Sequence, residues 1–232
     1  MSRSLDPGAV IRSVLRIYVD QAPVLMPAAG VVFVFTGILA AVLIAASPAL
    51  ALVGLIVSLA ATWVFTGMVV ELVADVQDGR RDSSPGELLR AVTPVLGQLI
   101  LVALAAGVGI AVGFLLIIVP GLILFTVWSV AAPVVVLERP PGLRALARSR
   151  ELVRGSGWQV FAVILVLDIA AVVGASALQI AADSAGSGVG IVVRVVTGVL
   201  TAPLSALAAA VLYFELRRAA PAEPGVSAGS PS

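Results

Sequence analysis

Asp168 has the clearest claim to chemistry in this sequence. It is the one charge in the apolar run from Trp158 to Ala182. A lone ionisable group deep in such a run is costly, and is a functional candidate by default. Arg194 interrupts the run from Val189 to Phe214 in the same way. With Gln179 these residues form the candidate polar site within the apolar segments. Two readings stand for Asp168. It is a structural polar group, protonated or bonded to a Ser, a Thr or the backbone, or it serves a substrate or a proton. Arg194 is expected to snorkel outward or to meet Asp183 or Gln179.

A second group is basic. Arg144, Arg148, Arg150 and Arg154 crowd one short segment with Trp158 close behind. Facing a lipid leaflet, such a surface attracts anionic head groups at about 1 kcal/mol per arginine. It also reads as a partner surface, or simply as the charge bias that fixes topology. Glu71 and Asp75, with Asp78, Arg80 and Asp82, make a charged collar after a long apolar run. Asp78-Gly79-Arg80 superficially suggests the metal-binding opening of lipid alcohol-phosphate transferases, but no aspartate ladder at helical spacing follows. The chain has neither cysteine nor histidine. That removes the usual thiolate, the usual general base and the usual zinc ligand. No catalytic set, metal site or cofactor site is expected, and the chain is read as non-enzymatic.

The elements that must position these residues follow from composition. Of 232 residues, 60% are apolar and 12% charged, and the mean hydropathy is +1.15. Soluble domains carry about twice that share of charge. A bilayer core of about 30 Å takes roughly 20 apolar residues per helix. Gln21 to Val70 and Ala91 to Leu137 carry no charge at all, and each is long enough for two crossings. With breaks at Ser47-Pro48 and Pro120-Gly121, the spacing predicts six spans, at about 24–46, 49–74, 95–118, 121–138, 158–182 and 189–214. The fold class is an all-α polytopic transmembrane bundle in one membrane domain, 1–218. A re-entrant turn is the alternative for the short fourth span. The Pro-, Ala-, Gly- and Ser-rich end, 219–232, reads as a disordered cytoplasmic tail. The first twenty residues lack a signal-peptide core, so the first span is expected to act as an uncleaved anchor.

All basic residues are arginine, and thirteen of the fourteen fall in four segments that alternate with arginine-free breaks. The positive-inside rule then places both termini in the cytoplasm. Each arginine-bearing segment before a pair of spans reads as a short amphipathic cytoplasmic helix, so the plan is three hairpins, each led by such a helix. In 8–20, Val10, Ile11, Val14, Leu15, Ile17 and Tyr18 share one arc, with Asp6 as cap and Pro7 at the first position. Ser84-Pro85-Gly86-Glu87 has capping-box spacing. Pro141-Gly142 is expected to open the third helix, with Leu146, Ser149, Leu152 and Val153 on its apolar arc. Gly109-x-x-x-Gly113 allows close helix approach, within the chain or across a homodimer.

The stretch Pro120-Gly121, Trp128, Pro133, Val134 to Glu138, Ala145, Ser149, Leu152, Arg154-Gly155 and Trp158 resembles the glycerophosphoryl diester phosphodiesterase membrane-domain family and its relatives among bacterial membrane proteins. The closing Tyr213-Phe214-Glu215-Leu216-Arg217 and the Asp75 to Arg80 stretch are similar to that family as well. The resemblance implies a stand-alone integral protein of the bacterial cytoplasmic (inner) membrane. It carries over no phosphodiesterase activity, because no soluble domain and no histidine accompany it. The expected role is a scaffold or accessory factor for a membrane or envelope process. The alternative is a small transporter or lipid translocator using Asp168 in an intramembrane cavity. Expected partners are the bilayer, anionic lipids and other membrane proteins or a second copy, with no nucleic acid.

Overall fold

The computed structural model describes residues 5–79, 84–183 and 187–219, and these form ten α-helices with no strand among them. In chain order they are α1 (Pro7–Asp20), α2 (Ala22–Ala46), α3 (Ala51–Gln77), α4 (Pro85–Val92), α5 (Leu96–Leu116), α6 (Ile118–Val127), α7 (Ala131–Glu138), α8 (Arg144–Val153), α9 (Gly157–Asp183) and α10 (Ser187–Ala219). Among the described residues, six stretches are long and apolar enough to cross a membrane: Ala22–Leu43, Ala51–Gln77, Pro85–Leu116, Ile118–Glu138, Gly157–Ala182 and Val195–Ala219.

Local chemistry starts the short helices. Asp6 accepts from the Gly8 backbone N–H at 2.9 Å, with Pro7 in the first turn of α1. Ser84 and Glu87 close a reciprocal capping box on α4. Each satisfies N–H groups that have no partner inside the helix. Pro141-Gly142 does not open α8, contrary to the sequence expectation. Gly142 is left-handed at φ 58° and the helix begins two residues later, with Leu143 at its cap position and no side-chain cap.

The boundary between the third and fourth spans also differs from expectation. Ile117 is extended (φ −160°, ψ 149°) and is the break, while Pro120-Gly121 lies in the first turns of α6. Proline is tolerated there because its missing N–H would have had no intrahelical partner. The fourth span is therefore two pieces, α6 and α7, joined by a turn at 128–130. Together they run 21 residues, from Ile118 to Glu138. The third span is continuous with α4 through a 3₁₀ turn at Thr93–Val95. The second span extends to Gln77, and α10 keeps Ala219 helical rather than opening the tail there; 220–232 lie outside the described residues, as do Arg80, Arg81 and Asp82.

Close packing joins α5 to α6. A Cβ on Gly113 would stand 3.0 Å from the Gly121 Cα, and one on Gly109 would stand 2.5 Å from the Trp128 ring. The Gly-x-x-x-Gly motif is thus filled from within the chain. Further contacts run α2 to α3, α9 to α10 and α3 to α10. The buried Ala131 to Val136 of α7 share one core with Phe65, Val69, Val92, Leu99 and Leu212. Elsewhere long apolar runs face outward. Leu115, Leu116, Ile117, Ile118 and Val119 are all 60% or more exposed. Exposed apolar surface of that extent fits lipid and not water.

Candidate functional site

Asp168 stands in the middle of α9, facing Ser205 of α10, whose hydroxyl donates to Asp168 Oδ1 at 2.9 Å. Ser205 comes two residues after Pro203, which lies inside α10. Proline there removes an N–H from the ladder and leaves a carbonyl to be satisfied otherwise. Polar partners cluster around that interruption. The Tyr18 hydroxyl of α1 donates to the Leu200 carbonyl at 2.9 Å, and Thr201 donates to the Thr197 carbonyl at 2.8 Å.

The Asp168–Ser205 pair forms one wall of a cleft of about 430 Å³. Further lining comes from α3, with Thr62, Trp63 and Thr66, and from α5, with Ala106, Gly107 and Ile110. Phe125, Trp128 and Ser129, at the joint between α6 and α7, complete it. The cleft is open rather than sealed, since Thr62 and Ser205 on its rim are exposed and Asp168 is partly so. Its lining is predominantly apolar, and Asp168 is the only charged residue in it among the described residues. The hydroxyls of Thr62, Thr66 and Ser129 donate to carbonyls of their own chain segments, Ser58, Thr62 and Thr126, at 2.9, 2.8 and 2.8 Å. An apolar cleft of this size with a few placed polar groups is the usual form of a small-molecule site.

The three residues expected to act together are not all at this place. Gln179 lies eleven residues further along α9, about 16 Å at 1.5 Å per residue, and does not line the cleft. Arg194 lies eleven residues before Ser205 on α10, and its side chain is outside the described residues, as is that of Asp183. Ser205 and Trp63 carried no signal in the sequence, and Trp128 entered only through the family resemblance. A serine in an apolar helix two residues past a proline is the feature that could have drawn attention.

The basic segment divides. Arg148 turns inward, donating from Nε to Glu138 Oε2 at 2.9 Å and from a terminal nitrogen to Glu151 at 3.3 Å. Burial pulls its pKa down, but the two carboxylates outweigh this and hold it above the ordinary arginine value. Arg144, Arg150, Arg154 and Trp158 are exposed, Trp158 at 77%. Glu138 also accepts from the fully buried Tyr213 at 3.0 Å, so it ties α7 to both α8 and α10. The next residue, Arg139, ends α7 in a left-handed conformation at φ 49°. The chain then turns through Pro140, whose carbonyl accepts from Gln98. Buried Ser149 donates to the Val127 carbonyl at 2.7 Å, covering one of the last carbonyls of α6. The described residues hold no cluster of three or more acidic side chains placed to bind a metal ion.

Comparison with curated proteins gave no match, and comparison with solved structures gave none. Residues 88–216 match a family described as a domain of unknown function, DUF8558. That stretch is more than half of the chain and includes Glu138, Arg148, Ser149, Asp168, Ser205 and Tyr213. The chain belongs to the DUF8558 family.

Proposed function

We propose that this protein is a non-enzymatic integral membrane protein that holds a small molecule or lipid in an intramembrane cleft, as a small transporter or lipid translocator. The observation that carries this reading is the open cleft of about 430 Å³ with Asp168 in its wall. A carboxylate inside the hydrocarbon region is costly and is ordinarily kept facing a cavity or a partner. The lack of cysteine and histidine in the sequence supports the non-enzymatic part of the reading.

In this proposal the six spans form three hairpins, each led by a short amphipathic helix: α1, α4 and α8. The buried Val10 and Val14 of α1, Leu88 and Val92 of α4, and Leu152 and Val153 of α8 support it. The arginine distribution supports cytoplasmic termini, and the resemblance to the phosphodiesterase membrane-domain family supports a bacterial cytoplasmic membrane.

The test is purification from native membranes in mild detergent, followed by mass spectrometry of bound small molecules and lipids. A species retained by the unaltered protein and lost from Asp168→Asn and Ala209→Phe supports the reading. Identical contents in all three preparations refute it. A second reading, a scaffold or accessory factor, is favoured by the exposed Arg144, Arg150, Arg154 and Trp158. It predicts a protein partner, or anionic lipid, that is lost when those arginines are neutralised.

A further inference from the structure

We propose that the ligand of this cleft is a hydrophobic monocation: an amine or quaternary ammonium with an aromatic or aliphatic body. The inference rests on the reading of the cleft as a binding site, and it names the class of molecule bound there.

Charge decides the sign. Among the described residues, Asp168 is the only charged one lining the cleft. One of its oxygens is engaged by Ser205, and Oδ2 has no hydrogen-bond partner among the described residues. Nor is Oδ2 sealed among apolar atoms, because among the described residues no fully buried side-chain oxygen or nitrogen lacks a partner. Oδ2 therefore keeps accessible surface, on a residue that lines the cleft. In low-dielectric surroundings a lone carboxylate attracts a cation strongly and opposes an anion equally strongly.

Hydrogen-bonding capacity points the same way. Every hydroxyl in the lining has already donated its proton: Thr62 to Ser58, Thr66 to Thr62, Ser129 to Thr126 and Ser205 to Asp168. What these groups still offer is lone pairs. They suit a ligand that donates, such as an ammonium, and do not suit one that brings only acceptors, such as a carboxylate or phosphate.

The walls supply the remaining recognition. Trp63, Trp128 and Phe125 line the same space. Aromatic faces attract cations, tryptophan most strongly, and more so where water is excluded. The rest of the lining is aliphatic and would hold the body of the ligand. A volume of about 430 Å³ lies in the range of drug-sized ligand sites.

The test uses the full-length protein in nanodiscs of zwitterionic lipid, with Trp158→Phe so that the two remaining tryptophans both line the cleft. The probes are phenyltrimethylammonium and its uncharged isostere tert-butylbenzene, followed by tryptophan fluorescence. The cation is expected to bind saturably and at least tenfold more tightly than the isostere. Asp168→Asn should abolish that preference, and Ala209→Phe, which fills the cleft, should weaken both probes. If both probes bind equally, with Asp168→Asn without effect, the cation assignment is overturned while the cleft stands as a binding site. If neither probe saturates, or Ala209→Phe changes nothing, the binding-site reading falls too. Should Asp168→Asn fail to assemble, the two-probe comparison on the unaltered cleft decides alone. Ser205→Ala, which keeps the carboxylate, should then retain the preference.

Discussion

Replacing Gly109 by alanine tests the packing that shapes the cleft. An added Cβ would lie 2.5 and 2.7 Å from two ring carbons of Trp128, where ordinary contact needs about 1 Å more. The ring must shift to make room, and Trp128 is half-buried at the joint between α6 and α7, packed against the core on one side and bordering the cleft on the other. Overpacking of this kind costs about 1–3 kcal/mol. The alanine recovers up to about 1 kcal/mol of helix propensity. Gly174→Ala is the control, since its Cβ would meet nothing within 4 Å and only the propensity gain applies. Gly109→Ala should therefore be less stable than Gly174→Ala by about 1–3 kcal/mol. Equilibrium unfolding in mixed micelles, followed by tryptophan fluorescence and far-ultraviolet circular dichroism, measures the difference. The native emission of Gly109→Ala should also shift, because Trp128 borders the cleft. Equal stabilities with unchanged emission would refute the close approach of α5 to Trp128.

Tyr213→Phe removes a fully buried donor to Glu138 and should cost about 1.5–3 kcal/mol in the same unfolding assay. Arg148→Ala should cost less, about 1 kcal/mol or below, because the guanidinium is 39% exposed and screened by solvent; a larger loss than that of Tyr213→Phe would contradict the ranking. Ser149→Ala leaves the Val127 carbonyl without its side-chain donor in a buried place and should cost about 1–3 kcal/mol, detectable as a lower midpoint of unfolding. For the proposed topology, a cysteine at Ala147 should be labelled only after the membrane is opened and one at Ala49 in intact cells; the reverse pattern would invert the orientation.

Much of the helical plan was legible in the sequence because lipid leaves few choices. Charge-free runs of sufficient length can be satisfied only as helices, so the six long stretches were readable from hydropathy alone. The caps at Asp6 and at Ser84–Glu87 were equally readable, since capping is local chemistry. Breaks were less so. Pro120 looked like the boundary, but proline is acceptable in a first turn, and the extended residue is Ile117, which carries no mark in its type. The division of the fourth span at 128–130 was invisible for a similar reason. Trp128 and Val130 are not turn residues, a single serine between them is a weak signal, and burial of α7 from Ala131 to Val136 sets the geometry. For the site, the cost of a charge in apolar surroundings singled out Asp168. Its partner Ser205 is 37 residues away, and the aromatic walls come from α3 and the α6–α7 joint. Which helices face one another is a property of packing that periodicity does not encode. Gln179 was grouped with Asp168 by type, yet it stands about three turns further along the same helix.

Asp168 lines an open cleft within the membrane domain, and a thiol beside it tests that placement. The chain has no cysteine, so a single introduced thiol reports its own surroundings without background. Thr62→Cys places a thiol on the rim of the cleft, and Val42→Cys places one on the exposed apolar face of α2. The direct measurement is the rate at which a small water-soluble methanethiosulfonate modifies each in sealed vesicles. Modification is expected at Thr62→Cys, slowed by phenyltrimethylammonium, and none at Val42→Cys. A thiol at Thr62 as inert as the one at Val42 would contradict that placement.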